Sequence, residues 1–210
     1  MNIIVVGAGG HGRVIIDALL CAGAPVIGVT DIAPDSAGLD ILGVPVFGND
    51  DVLHKHHPGS IELVNGVGST TLPTARQAVF DRFKTQGYHF ASVIHPSAII
   101  GLSVRLGEGA QIMAGVIVQP FTTIGDNAII NTRAGIDHDC QIGAHTHIAP
   151  GATLSGGITV GESSHIGCGV TVIQGINIGK NVLVAAGATV CHDVPDGTRV
   201  IGTPAKERAQ

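Results

Sequence analysis

The chain has 210 residues, with 11 Lys and Arg against 16 Asp and Glu and a formal net charge of −5. That balance argues against a nucleic-acid partner, which needs clustered basic residues, and no stretch approaches the roughly 18 uninterrupted apolar residues of a membrane span. Aromatic residues make up 3%, Trp is absent and Gly reaches 31 residues, so any core is expected to be narrow and aliphatic.

The opening run Asn2–Val6 is apolar, lacks a basic leader and leads straight into Gly7-Ala8-Gly9-Gly10-His11-Gly12, so no signal peptide is expected. Cys21, Cys140, Cys168 and Cys191 are scattered with no C-x-x-C pair, which points to reduced thiols and a cytoplasmic location. Residues 13–23 show helical apolar spacing and end on Gly23. A second apolar run over 25–30 leads to Asp31. Strand, glycine turn, helix and strand open a doubly wound α/β unit. Strands are expected at 44–47 and 61–64 and helices at 50–57 and 72–86, giving a small parallel sheet of four or five strands. His54, His56 and His57 would then solvate one helix face rather than bind metal.

Gly7, Gly9 and Gly12 satisfy G-x-G-x-x-G, with Asp31 at a strand end about 20 residues on. Such glycines let backbone N–H groups and a helix N-terminus meet a phosphate; they also serve simply to turn a strand into a helix. The unit is half the size of a dinucleotide fold, which suits one nucleoside diphosphate better than NAD.

From residue 100 to 190 every sixth residue is Ile, Leu or Val, beginning Ile100, Leu106, Ile112 and ending Ile178, Val184, Val190. Neither the 3.6-residue period of a helix nor the 2-residue period of a strand explains this. A parallel β-helix does: three short strands per coil, one aliphatic inward from each, and corners rich in Gly, Asn and Asp. The division expected is an α/β domain over 1–94, a β-helix over 95–192 and a tail over 193–210 that leaves the register and caps the open end. The register never breaks, so no long loop interrupts the coils. The N-terminal domain is then the only spare element that could grip a second substrate.

Within the coils His147 and His165 are one 18-residue turn apart and should stack. His138 lies between Asp137 and Asp139, where an anion would orient the ring and raise its proton affinity. A general base and a plain surface histidine both fit that setting. His138, His147 and His165 lack the spacing of a three-ligand zinc site, so no metal is expected.

The hexapeptide run, Gly202-Thr203-Pro204-Ala205-Lys206, the glycine turn, Asn131 and Ile136-Asp137-His138-Asp139-Cys140 together resemble one family. They are similar to the hexapeptide acyltransferases of the sialic acid O-acetyltransferase and bacillosamine N-acetyltransferase group. The resemblance implies a left-handed β-helix behind a Rossmann-like nucleotide-sugar-binding domain. It implies a homotrimer, with acetyl-CoA as co-substrate between neighbouring β-helices. It makes His138 the base and Asp139 its orienting acid, where the family commonly has Glu; Asp137 is the alternative. Asn131 and His147 would line the site, His147 against the thioester or pantetheine arm. Gly9, Gly10, His11 and Gly12 would hold the sugar nucleotide, Asp31 its base or ribose, and Gly68 and Ser69 the far side. Gly156, Cys168 and Ala186 would meet CoA through their backbones. The reaction expected is direct acetyl transfer to the amino group of a UDP- or GDP-linked amino sugar for surface glycan synthesis. O-acetylation of sialic acid and a non-catalytic sugar-nucleotide-binding regulator are the rivals.

Overall fold

A computed structural model describes residues 1–33, 37–202 and 206–207. The N-terminal domain forms a five-stranded sheet in the order β3-β4-β2-β1-β5, from β1 (Asn2–Val6), β2 (Val26–Thr30), β3 (Asp40–Ile41), β4 (Val44–Gly48) and β5 (Ile61–Asn65). Four of these strands run parallel, as expected; β3 instead pairs antiparallel with β4. A two-residue turn at Leu42-Gly43, both with positive φ, closes that hairpin. Leu is rarely found in this conformation, so Leu42 itself carries no turn signal.

The helices differ from expectation at their ends. Helix α1 spans Gly10–Cys21, so its first turn already contains Gly10, His11 and Gly12. Helix α2 spans Thr74–Thr85, following Pro73. Residues 50–57 are not one helix: a 3-10 helix covers Asp50–Lys55, His56 is extended, and His57 caps a second short 3-10 helix at Pro58–Ser60 by accepting from the Gly59 N–H. Pro58 disfavours helical backbone at the residue before it. The three histidines therefore share no helix face.

The β-helix has three flat faces. The first stacks Val93–Ile94, Gln111–Ile112, Ile129–Ile130, His147–Ile148, His165–Ile166 and Leu183–Val184 in parallel. The second runs from Ile99–Ile100 to Thr189–Val190, and the third from Arg105–Leu106 to Asn177–Ile178. The first coil strand is thus Val93–Ile94, slightly ahead of the expected boundary, and it follows directly on a bridge from Phe90 to Leu63 of the α/β sheet. The tail does not abandon the stack. Val194 bridges to Ile178 and Arg199–Ile201 pairs with Leu183–Val184, each 16 rather than 18 residues on, and Lys206–Glu207 folds back antiparallel. A two-residue slip, then a shortened last coil, closes the prism. Residues 203–205 of the Gly-x-Pro-Ala-Lys ending lie outside the described residues.

Two glycine requirements alternate along the coils. At every sixth position from 103 to 187 the backbone has positive φ, filled by Gly or by residues such as Asn127, Asp139 and Asn181. The glycine directly after the aliphatic residue has another cause: a Cβ on Gly143 would fall 2.5 Å from the Glu162 backbone N of the next coil. Gly143→Ala should therefore destabilise the fold by about 1–3 kcal/mol. Gly151→Asn, at φ +69 with nothing within 4 Å of a new Cβ, should cost less, under about 1 kcal/mol, because Asn tolerates left-handed backbone. Melting temperatures of the two variants check the contrast, and equal losses would refute it.

Candidate active site

The α/β domain docks on the first face. Outward-pointing Gln111, Ile129, His147 and His165 are all buried there, whereas Ile99 and Ile117 at the same offset on the second face are 62% and 42% exposed. Arg76 of α2 is fully buried at the junction. Its Nη1 donates to the carbonyls of Asn65 and Val67, and its Nε to the carbonyl of Asn127 in a β-helix corner. Gln111 donates to the Asn65 carbonyl at 2.7 Å, which turns its oxygen to His11 Nε2 at 2.8 Å. Burial, then the charge of Arg76, lowers the His11 pKa to about 4, so that ring is neutral at physiological pH.

Above this junction lies a cavity of about 910 Å³ lined by Gly9, Gly10, His11, Asp31, Gly68, Ser69, Asn131 and His147, with Arg82 at its edge. Gly12 is not among the lining residues. It is buried, and a Cβ there would fall 2.1 Å from the Gly7 carbonyl oxygen, so the glycine brings helix and strand together. Asp31 accepts from the Ala8 and Ala33 N–H groups, each at 2.8 Å, which fixes its carboxylate at the cavity wall.

Ser69, Asn131 and His147 are also part of a second hollow of about 440 Å³ that continues along the first face past His165, Cys168, Ala186 and Arg199. His147 Nδ1 is 2.8 Å from Ser69 Oγ and its Nε2 is 3.0 Å from Asn131 Nδ2. Burial, followed by the charges of His165, His11 and Arg76, lowers its pKa to about 3. His147 and His165 do stack, with ring centroids 4.9 Å apart, edge to face. The Nδ1 of His165 is buried without a partner among the described residues.

His138 is elsewhere. It occupies the corner between the second and third faces, and neither hollow includes it. Its side chain is 54% exposed, Nδ1 lies 2.7 Å from Asp139 Oδ2, and its backbone N–H is held by Asp137 Oδ1. The Asp139 hydrogen bond raises the imidazole pKa above its ordinary value, with both carboxylates adding attraction and slight burial opposing. Asp139 can serve in this way because it occupies the positive-φ corner position, where Asp is well tolerated. Gly156 lies one coil above: a Cβ there would fall 2.6 Å from Cε1 and Nε2 of the His138 ring. The structure thus brings Gly9, Gly10, His11, Asp31, Gly68, Ser69, Asn131 and His147 together. It lines the adjoining hollow with Cys168 and Ala186, and puts His138, Asp139 and Gly156 on a separate corner.

Arg76, Gln111, Asn127 and Asn65 were not singled out from sequence. Gln111 offers a faint signal, being a bulky polar residue at an outward position whose counterparts on the other faces include Thr153, Thr159 and Thr171. A buried Arg on a helix offers none.

Comparison with known proteins agrees with this architecture. The PglD N-terminal domain matches residues 2–83, and the bacterial transferase hexapeptide (six repeats) matches 103–137 and 121–156. GDP-perosamine N-acetyltransferase of Escherichia coli O157:H7 is 32% identical over 87 residues, which span 39% of this chain and 37% of that protein. PerB from Caulobacter crescentus, solved in complex with CoA and GDP-perosamine, superposes with a TM-score of 0.91 at 39% identity, covering 100% of this chain and 98% of that one. The acetyltransferase domain of PglB from Neisseria gonorrhoeae gives 0.90 at 34% identity over 99% of both chains. A Rossmann-like half-domain joined to a left-handed hexapeptide β-helix is therefore the fold, and the chain belongs to the sugar-nucleotide acetyltransferase group of the hexapeptide-repeat family.

Proposed function

We propose that the protein transfers the acetyl group of acetyl-CoA to the amino group of a nucleotide-linked amino sugar, in a site completed by a second copy of the chain within a homotrimer. The observation that carries this reading is the His138 corner. An exposed imidazole, held by one carboxylate and set beneath a glycine, serves no packing purpose there. With Nδ1–H donated to Asp139, its Nε2 carries the free lone pair and is the basic atom. The sugar nucleotide occupies the cavity at the glycine turn, its phosphates near the start of α1, and the pantetheine arm follows the hollow past Cys168 and Ala186. Two of the relatives act on or bind GDP-perosamine, which makes a GDP-linked sugar the first candidate.

The amine nitrogen attacks the thioester carbonyl, His138 Nε2 takes the proton the nitrogen loses, and the C–S bond then breaks to release CoA. The backbone N–H of Gly156 finds no acceptor among the described residues and is the candidate donor to the carbonyl oxygen as it gains charge. No acyl-enzyme is required, so no cysteine is assigned a role.

Within one chain the second face separates His138 from both hollows. A neighbour must therefore bring its own second–third corner to this chain's first–second corner, where Thr132, Pro150, Cys168 and Ala186 lie.

Thiol release from acetyl-CoA with GDP-perosamine tests the reaction, with UDP-linked amino sugars and free or CMP-linked sialic acid as the other acceptors. Release only with sialic acid would replace the amine acceptor by a hydroxyl, and no release with any acceptor would leave a binding protein. His138→Ala should lower turnover about 10²-fold or more.

The pH profile gives a second check. A base works when neutral, so kcat should rise with pH through a pKa above the ordinary 6.5 of imidazole. Asp139→Asn removes the group that stabilises the protonated ring, so its acid limb should move to lower pH, with a lower plateau. A limb that stays in place would remove Asp139 from this role.

Mixed oligomers test the shared site. Gly9→Phe fills the cavity from a position with nothing within 4 Å of the new Cβ. Alone, it and His138→Ala should each be inactive, but co-assembled they should regain a substantial fraction of wild-type turnover. No recovery in verified mixed oligomers would place the whole site within one chain.

A further inference from the structure

The geometry points to Ser69 as an obligate hydrogen-bond donor, oriented by a one-way relay from the β-helix backbone, and to an acceptor oxygen of the nucleotide-linked sugar as the group it meets. The ligand half of this inference rests on the proposed function; the relay does not.

The direction is fixed at its origin. The backbone N–H of Thr132 donates to Asn131 Oδ1 at 2.8 Å. A backbone N–H cannot accept, so the amide oxygen must face it, and the NH₂ end is left to face His147. Asn131 Nδ2 therefore donates to His147 Nε2 at 3.0 Å. A neutral imidazole that accepts at Nε2 carries its proton on Nδ1. That Nδ1–H donates to Ser69 Oγ at 2.8 Å. The serine oxygen has then accepted, and its own proton meets no acceptor among the described residues. Ser69 is half-buried and lines both hollows, so the proton points to a ligand.

Two alternatives fall on the same chemistry. Ser69, His147 and Asn131 look like a nucleophile, its base and an orienting amide. A nucleophile, however, must give its proton to the ring, and here the ring gives its proton to the serine. Protonation of His147 would not reverse the relay either, and burial keeps the ring neutral, with a pKa of about 3.

The ligand must present an acceptor at this point. Ser69 follows Gly68, whose added Cβ would fall 2.9 Å from His11 Cβ, so Ser69 borders the glycine turn as well as the hollow along the first face. That is where the sugar of a nucleotide held at the turn would reach toward a thioester. An acceptor oxygen of this ligand, on the sugar or its phosphates, is rewarded; a group that only donates is refused.

Asn131→Asp is the decisive variant, nearly identical in shape and opposite in polarity. The carboxylate accepts where the amide donated, the His147 proton moves to Nε2, and Nδ1 takes the Ser69 proton that the ligand needs. Nitrogen-15 NMR of the ring at about pH 8 should show Nδ1 protonated in the wild type and Nε2 protonated in Asn131→Asp. Calorimetry with GDP-perosamine should show binding about tenfold weaker for Asn131→Asp and for Ser69→Ala. Because both remove the same donor, the double variant should be no weaker than either single one. A wild-type ring with its proton on Nε2 overturns the relay. Variants that bind GDP-perosamine as the wild type does overturn the assignment of Ser69. No binding of GDP- or UDP-linked sugars by the wild type overturns the proposed function and the ligand half of this inference, while the ring proton still decides the relay.

Discussion

Up to the closing coil, each strand of the β-helix pairs with the strand 18 residues further on, and the rest of the molecule inherits that fixed step. Positions 18 apart become vertical columns, so a residue's place on the prism follows from its number alone. Inward columns hold aliphatic side chains, and the buried hydroxyls among them do not break the rule. Thr122, Thr146 and Ser164 donate to the carbonyls of Asp137, Gly161 and Gly179, each 15 residues ahead in the next corner. A polar atom in this core is tolerated because the step presents it with a carbonyl at a set place. The same step puts His138 beneath Gly156 and His147 beneath His165.

On that scaffold the α/β domain is held by a buried cation. Among the described residues Arg76 has no carboxylate partner; three carbonyls take its N–H groups and Nη2 is left without an acceptor. Burial lowers its pKa to about 9, still high enough for the side chain to be charged near neutrality. An unpaired charge in the interior is costly, and here its field acts on the neighbours. It helps keep His11 and His147 unprotonated and makes the adjoining cavity favourable for an anion. The carbonyls of Asn65 and Val67 that it grips begin the loop carrying Gly68 and Ser69. The Gly68-Ser69 loop of the α/β domain and the first face of the β-helix, distant in sequence, are thereby held in fixed relation.

The coils were legible because their determinant is local and periodic: one aliphatic residue every sixth position can be counted. The half-domain was legible from Gly7, Gly9, Gly12 and two apolar runs, for the same reason. The turn at Leu42-Gly43 was not, since Leu carries no turn preference; the tail's departure from the register was visible, but a two-residue slip hides from a strict count that Val194 and Val200 still stack. The site was legible in parts. Numbering modulo 18 places His138 on a corner and His147 on a face, but only the folded structure shows that the first face is the one covered. Arg76 could not be found in advance, and Gln111 only faintly, because their importance lies in contacts between segments tens of residues apart.

The two candidate histidines show how environment divides roles between identical side chains. His147 is enclosed, surrounded by other potential cations and committed at both ring nitrogens; its pKa falls to about 3 and neither nitrogen is free to take a proton. His138 stands in solvent with a carboxylate at Nδ1, so its pKa rises and Nε2 is left open. A base for an amine needs an open nitrogen and enough basicity to hold the proton it takes; the second ring has the open nitrogen and the raised pKa, and the first has neither. A hydrogen-bond relay needs the reverse, a ring that never titrates and so never changes which atom donates. If the rings exchanged surroundings, each would lose its use: the buried one could not accept the amine proton, and the exposed one would let its donor direction vary with pH. The division lies in the two columns and not in the residue type, and it is the reason the proposed function joins the corner of one copy to the covered face of another.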